Sequence, residues 1–268
     1  MKECRYLREG AAIGALLLIA ALWFGITEWL YPRYFLWDDN TVFYLPLYLF
    51  NAEALWSTHQ LPLINFFQFA GWNHLGAGQS GVLYAPAYLA AWFASGILQR
   101  PLLTIDVLCI LHMTAGMLGM YAWMRTLGLP RRYAAAAAIF YLTLPFSTQV
   151  SRIWVVVSSV HCFAPFCMML LDRNLRAPSW TLSVGYALTK ALFILGGYPQ
   201  YVAYLTVMEI SYLCLRARSM PGKWRIAMRY VRDNILSIIL CLPLLLPMVQ
   251  AITEPLKPPA LPGDSTRF

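Results

Sequence analysis

The 268-residue chain is 60% hydrophobic and 12% charged, with 20 basic and 12 acidic residues and a net charge of +8. Soluble domains are roughly 45–50% apolar and about 25% charged, so this composition excludes an ordinary soluble protein. It equally excludes a disordered chain or a small disulfide-rich secreted domain. The surplus of apolar side chains indicates an integral membrane protein, in which basic residues report loop positions rather than nucleic-acid binding.

Seven segments are long and apolar enough to predict membrane-spanning helices. In chain order they are Gly10–Tyr31, Leu102–Met124, Tyr133–Val150, Ile153–Leu171, Trp180–Gly196, Tyr201–Leu215 and Ile235–Ile252. The first follows a short basic segment and lacks a good cleavage site, which favours an uncleaved anchor over a signal peptide. Residues 1–268 are therefore expected to form a single all-α transmembrane domain.

An eighth apolar stretch, Gly81–Leu98, is ambiguous by length alone. If it is re-entrant or interfacial, fourteen Lys and Arg residues lie on the side of the N-terminus and five lie on the other side. If it spans the membrane, this asymmetry disappears. Because basic residues gather in cytoplasmic loops, we expect the first arrangement, with a cytoplasmic N-terminus and residues 32–101 forming one large outer loop.

The outer loop contains the most unusual chemistry. Asp38 and Asp39 are adjacent carboxylates directly after the first span, and Thr41–Trp56 then predicts a helix lying at the membrane surface. One carboxylate could serve as a general base while the other holds a cation or orients the first. The alternative is a solvated turn in which Asn40 caps the surface helix.

Lys190 is the most unusual residue within a predicted span, because it falls near the middle of Trp180–Gly196. A lysine at that depth costs roughly 2.5–3.5 kcal/mol on insertion scales, so it requires a partner or a function. An anionic lipid phosphate is one candidate. A buried carboxylate is the other, with Glu209, Asp106 and Glu28 as the available residues.

The order of these features resembles the GT-C superfamily of membrane glycosyltransferases, and within it the YfhO-like bacterial membrane proteins. The residues that carry the resemblance are Asp38-Asp39, Leu61-Pro62…Asn65, Gln79-Ser80-Gly81…Tyr84…Pro86, Leu127-Gly128-Leu129, Gly197-Tyr198-Pro199-Gln200 and Ser265-Thr266-Arg267. The resemblance implies a GT-C-like bundle in the inner membrane of a bacterium. It runs over nearly the whole chain, although the turn reads Gly-Tyr-Pro-Gln where the family has His in place of Tyr198.

The resemblance implies transfer of a sugar from a polyprenyl-phosphate donor to a cell-envelope acceptor on the outer face. Asp38 and Asp39 would supply the general base or hold a divalent cation such as Mg or Mn. A phosphate leaving group needs positive charge more than a strong acid, so basic residues in or near the outer half become candidates for binding it. The candidate substrate-binding residues are Lys190, Arg152, Arg33, Gln79, Tyr198 and Gln200, and Arg100 is a further cation of this kind.

Two further expectations follow from length. YfhO-like proteins are usually much longer, so this chain is expected to be the N-terminal portion of such a protein or a shortened relative. The competing hypothesis is a non-catalytic membrane component, such as a lipid-binding scaffold or part of a transporter. Its motivation is Lys190 and the short chain, although no internal repeat of the transporter kind is visible.

Overall fold

The computed structural model describes residues 2–68 and 71–253, and this part of the chain is almost entirely helical. The α-helices are α1 (Lys2–Leu30), α2 (Leu45–Thr58), α3 (Ala85–Ala91), α4 (Thr104–Thr126), α5 (Arg131–Leu142), α6 (Pro145–Ile153), α7 (Val156–Arg176), α8 (Trp180–Leu195), α9 (Pro199–Arg216) and α10 (Lys223–Thr253). Strands β1 (Ile64–Asn65) and β2 (Trp72–Asn73) pair antiparallel in the outer loop. The predicted all-α class is confirmed.

Four helical segments within the described residues are long and apolar enough to cross a membrane: Leu7–Leu30, Pro101–Thr126, Val156–Arg176 and Lys223–Thr253. Helix α8 is apolar but shorter. Many large apolar side chains of α1 and α10 are exposed, as expected for surfaces that contact lipid rather than water. These helices are consistent with the predicted helical membrane protein.

Contacts between helix ends define two faces of the bundle. At one face, which we call the N-terminal face, Glu9 of α1 forms ion pairs with Arg125 at 2.6 Å and Arg131 at 2.9 Å. At the other face, which we call the loop face, residues 31–103 connect the end of α1 to the start of α4. Met248, near the end of α10, packs there against Gly78 of the loop.

Helices α4 and α7 form the centre of the core and approach each other closely. A Cβ atom added at Gly116 would lie 2.5 Å from the carbonyl oxygen of His161, and one at Gly119 would lie 2.9 Å from the Phe166 ring. Since lipid supplies no hydrophobic drive between helices, association depends on such close packing of small residues. The two glycines therefore set the distance between α4 and α7.

The predicted span Tyr133–Val150 is two helices, α5 and α6, separated at Thr143 and Leu144. Leu144 has an extended ψ of 119° because Pro145 follows it, and the residue before a proline avoids helical geometry. The apolar length of the segment gave no indication of this break. By contrast, the predicted surface helix Thr41–Trp56 is present as a wide π-type turn over Asn40–Tyr44 that continues into α2.

Candidate functional site

Asn40 forms hydrogen bonds that connect the start of the outer loop to the junction between α6 and α7. Its side chain is fully buried, and its amide nitrogen donates to the carbonyl oxygens of Phe35 and Ser151, both at 2.8 Å. Its amide oxygen accepts from the Val155 backbone N–H at 2.7 Å. The interpretation of Asn40 as a helix cap is therefore wrong, because its polar atoms hold Asp38 and Asp39 against the end of α6.

Asp39 is held by an aromatic residue at the same junction. The Trp154 indole N–H donates to Asp39 Oδ2 at 2.6 Å, and Trp154 stacks on Tyr198 with 6.2 Å between ring centroids and 19° between planes. Trp154 occupies the extended residue between α6 and α7, while Tyr198 lies in the turn between α8 and α9. One carboxylate oxygen of Asp39 is thus oriented, and the other makes no contact with a described donor.

The loop segment around Gln79 closes the same region from the other side. The Tyr44 hydroxyl donates to Gln79 Oε1 at 2.9 Å. A Cβ atom added at Gly197 would lie 3.5 Å from the Cα of Gln79, so the α8–α9 turn rests directly on this segment. We call Asp39, Tyr44, Gln79, Trp154 and Tyr198 the aspartate cluster.

Tyr44 is neutral in this setting. Burial raises the pKa of its hydroxyl well above the usual value, and the neighbouring Asp39 carboxylate raises it further. The phenol therefore remains a hydrogen-bond donor over the whole physiological range. Its fixed proton orients the Gln79 side-chain oxygen and leaves the Asp39 carboxylate as the negative charge of the cluster.

Arg152 provides positive charge against the segment that precedes Asp38 and Asp39. Its Nε atom donates to the Tyr34 carbonyl oxygen at 3.1 Å, and its guanidinium carbon lies 5.0 Å from the Tyr34 ring centroid and 4.7 Å from that of Trp37. These ring contacts hold the guanidinium in one place. Its terminal nitrogens make no hydrogen bond within the described residues and are available for an anion.

Asp38 differs from Asp39 in its surroundings. Its side chain is exposed and makes no hydrogen bond or ion pair with a described residue, while its carbonyl oxygen accepts from the Thr41 N–H at 2.8 Å. Its φ of 49° lies in the left-handed region that aspartate tolerates better than most residues. Asp38 therefore contributes its backbone to the turn that precedes Asp39.

An apolar groove borders α1. It has a volume of about 470 Å³ and lies between the second half of α1 and the break between α5 and α6. Phe24, Leu30, Pro145 and Gln149 are among its lining residues, and Tyr34, which contacts the Arg152 guanidinium, also lines it. Lipid-like chains fit such a groove because its wall is mostly apolar.

Three predicted site residues lie elsewhere. Lys190 is buried and forms an ion pair with Glu209, one of the two alternatives that the sequence left open. Arg33 lies on a separate cavity beside Arg100. Gln200 is exposed on the first turn of α9, where its amide nitrogen donates to the Tyr204 hydroxyl.

The cation expectation rests on Asp38 and Asp39 alone. Within the described residues there is no group of three or more His, Cys, Asp or Glu side chains placed to hold a metal ion. Mg²⁺ is often bound through one or two carboxylates, with substrate phosphate and water completing its shell. The two aspartates fit that limited role, in which substrate oxygens would supply most of the ligands.

A buried histidine holds the loop segment that carries Gln79. His74 Nε2 lies 2.6 Å from the side-chain oxygen of Asn51, whose nitrogen donates to the Ser80 carbonyl oxygen at 2.7 Å. Burial lowers the pKa of His74 to about 4. The ring is therefore neutral at pH 7, and its Nε2–H donates to Asn51.

We expect this segment to loosen in acid. Because the folded pKa of about 4 lies below the unfolded value of about 6.5, the contribution of His74 is complete above pH 6.5 and is lost as the pH falls toward 4. Amide hydrogen exchange of residues 71–84 should accelerate between pH 6.5 and 4 beyond the intrinsic pH effect. His74→Gln should remove this pH dependence, and His59→Gln, at an exposed position, should retain it. The same profile of exchange rate against pH in the wild type and in both variants would contradict the assignment.

The sequence did not indicate Trp154, Tyr44 or Asn40 as parts of the site. Trp154 was placed in a predicted span, since Ile153–Leu171 was read as one apolar segment. Its only sequence signal is that tryptophan is enriched at membrane boundaries. Its contact with Asp39 joins residues 115 positions apart, and only the fold brings them together.

Comparison of the chain with family models, with curated proteins and with solved structures finds no match.

Proposed function

We propose that this protein is a membrane glycosyltransferase, or its N-terminal part, that transfers a sugar from a polyprenyl-phosphate donor to an acceptor hydroxyl. The observation that carries the proposal is the contact of Asp39 with Trp154. Arg152, two residues before Trp154, lies against the rings of Trp37 and Tyr34, and Tyr34 also lines an apolar groove. A carboxylate, a cation and a lipid-sized groove are the three components that such a reaction requires. The residue pattern of the GT-C superfamily supports the same reaction.

In the proposed reaction Asp39 is the general base. It removes the proton of the acceptor hydroxyl as that oxygen forms a bond to the anomeric carbon of the sugar. The bond between this carbon and the carrier phosphate breaks, and the phosphate leaves with the electron pair. The Trp154 N–H fixes the orientation of Asp39 so that its second oxygen is directed to the acceptor.

Arg152 is proposed to bind the phosphate as its charge increases. A guanidinium matches phosphate geometry with two parallel hydrogen bonds, and the Tyr34 and Trp37 rings already hold it in place. The prenyl chain of the donor would occupy the groove lined by Phe24 and Pro145. Tyr198 and Gln79 are proposed to line the sugar side, since Tyr198 stacks on the Trp154 ring that binds Asp39 and Gln79 accepts from Tyr44.

We further propose seven membrane crossings, with the loop face outside and the N-terminus in the cytoplasm of a bacterial cell. The four long apolar helices supply α1, α4, α7 and α10, and the shorter crossings are α5 with α6, α8, and α9. Helix α3 has seven residues and the π-type helix Trp92–Ile97 that continues it has six, which together are too few to cross, so Gly81–Leu98 is proposed to remain at the loop face. This arrangement supports the outer position of Asp39.

Arg152→Gln tests the phosphate-binding role. We expect sugar transfer from a labelled polyprenyl-phosphate donor to fall about 10- to 100-fold, since a charge-assisted hydrogen bond is worth about 1.5–3 kcal/mol. Arg152→Lys should recover only part of the rate because lysine cannot form the two parallel bonds. The measurement is initial release of sugar by protein reconstituted in vesicles.

The matched control is Arg225→Gln, an exposed arginine of α10 at the N-terminal face that makes no hydrogen bond or ion pair with a described residue. Its transfer rate should equal that of wild type. Unchanged transfer by Arg152→Gln, in protein with a wild-type thermal midpoint, would contradict the assignment. Absence of transfer in the wild-type protein, with binding of the donor retained, would instead favour the lipid-binding scaffold.

A further inference from the structure

A second cavity at the loop face lies apart from the aspartate cluster. It has a volume of about 740 Å³ and lies between the end of α1, the segment before α4 and the first turns of α4. Its wall is mostly apolar, with Leu98, Leu102 and Val107 among the lining residues. The four charged residues on the wall are Glu28, Asp106, Arg33 and Arg100.

The two carboxyl groups of this cavity form a pair across α1 and α4. Glu28 accepts from the backbone N–H groups of Arg33 at 2.8 Å and Tyr34 at 3.3 Å, and Asp106 Oδ1 accepts from the Phe35 N–H at 2.8 Å. Glu28 and Asp106 line the same cavity. Three successive backbone donors, those of Arg33, Tyr34 and Phe35, therefore hold the two acids on one wall.

The second oxygen of Asp106 lacks a donor. Asp106 is only 3% exposed, and its Oδ2 atom has no hydrogen-bond partner among the described residues. An unpaired buried carboxylate oxygen is costly, and a second carboxyl group beside it increases the repulsion. The pair therefore requires a bound positive group or a shared proton, and a ligand ammonium supplies both positive charge and donors.

The two arginines have the opposite requirement. The guanidinium groups of Arg33 and Arg100 make no hydrogen bond, ion pair or ring contact with a described residue, and both side chains are exposed at the rim. Guanidinium groups that share a pocket with no carboxylate partner are suited to a phosphate. The cavity therefore presents separate sites for a cation and for an anion, with an apolar wall beside them.

From this arrangement we infer that the cavity binds a zwitterionic phospholipid with a primary ammonium head group, that is, a phosphatidylethanolamine. The ammonium donates to the carboxyl pair of Glu28 and Asp106, the phosphate binds Arg33 and Arg100, and an acyl chain follows the apolar wall. A quaternary ammonium cannot donate hydrogen bonds, and a glycerol head group carries no positive charge. The site therefore discriminates among phospholipids by the donors on the head group.

The test measures lipid binding by the full-length protein in detergent. Native mass spectrometry and thermal unfolding are compared for added phosphatidylethanolamine, phosphatidylcholine and phosphatidylglycerol with identical acyl chains. We expect phosphatidylethanolamine to remain bound in the mass spectrometer. We also expect it to raise the thermal midpoint of the protein by at least about 4 °C, equivalent to about one or two kcal/mol for a chain of this size. The other two lipids should produce a smaller rise.

Variants separate the two halves of the site. Arg100→Gln should weaken phosphatidylethanolamine binding about tenfold, while Arg225→Gln at the N-terminal face should leave it unchanged. Asp106→Asn should abolish the preference over phosphatidylcholine, and Arg100→Gln keeps the test informative if that variant fails to fold. Equal binding of the three lipids, a preference for phosphatidylglycerol, or the same stabilisation by Mg²⁺ alone would overturn the inference.

Discussion

Asp39→Asn lowers the expected rate of sugar transfer by about 100- to 10,000-fold, the range that a positioned general base contributes. Asparagine keeps the size of the side chain and can still accept from the Trp154 N–H through its amide oxygen. The aspartate cluster should therefore remain assembled while the proton acceptor is lost. Initial rates with a labelled polyprenyl-phosphate donor, at saturating acceptor, measure the effect on kcat.

Two comparisons make this result specific to Asp39. Asp38→Asn should have a smaller effect, because the Asp38 side chain is exposed and its main contribution is the left-handed turn. Glu53→Gln, at an exposed position of α2, should have none. Full activity of Asp39→Asn would remove the proposed chemistry, and equal loss in both aspartate variants would instead favour a cation bound by the pair.

Lys190→Met is expected to destabilise the bundle by about 3–5 kcal/mol, because it leaves the Glu209 carboxylate buried and uncompensated. Glu209 is fully buried between α8, α9 and α10, and the Tyr230 hydroxyl also donates to it at 3.0 Å. Glu209→Leu should cost a similar amount by leaving the lysine unpaired. Equilibrium unfolding in detergent mixed micelles measures both free energies.

The double variant decides what Lys190 does. If the pair is structural, Lys190→Met with Glu209→Leu should lose less stability than either single variant, and Lys223→Met, at an exposed position of α10, should lose almost none. If Lys190 instead binds the donor phosphate, the double variant should recover stability without recovering transfer. Additive losses in the double variant would contradict the ion pair as the stabilising contact.

The helical membrane class could be predicted because it depends on quantities that the sequence carries directly. Apolar length and low charge are local properties of the sequence. They predicted helices in the regions where the structure has α1, α4, α7 and α10. The same criterion missed the break at Leu144, since hydropathy does not report backbone geometry. Pro145 was the available signal, because it restricts the preceding residue.

The candidate site could be predicted only in part. Adjacent acids after the first span drew attention to Asp38 and Asp39, but residue type could not distinguish them. The structure separates them through Trp154, which contacts Asp39 and not Asp38. Arg152 and Arg33 were equivalent candidates as cations near the outer half. The structure separates them, because Arg152, in the last turn of α6, packs on the Trp37 ring while Arg33, after α1, lines a cavity.

By itself the sequence determined that the chain is rich in apolar helices, roughly where most of them lie, and which charges are too costly to bury without a partner. Those properties follow from the chemistry of neighbouring residues. The tertiary structure alone decided which partner each charge has, pairing Lys190 with Glu209 and Asp39 with Trp154. Such contacts join residues far apart in the chain, and their distances depend on helix packing that local sequence does not encode.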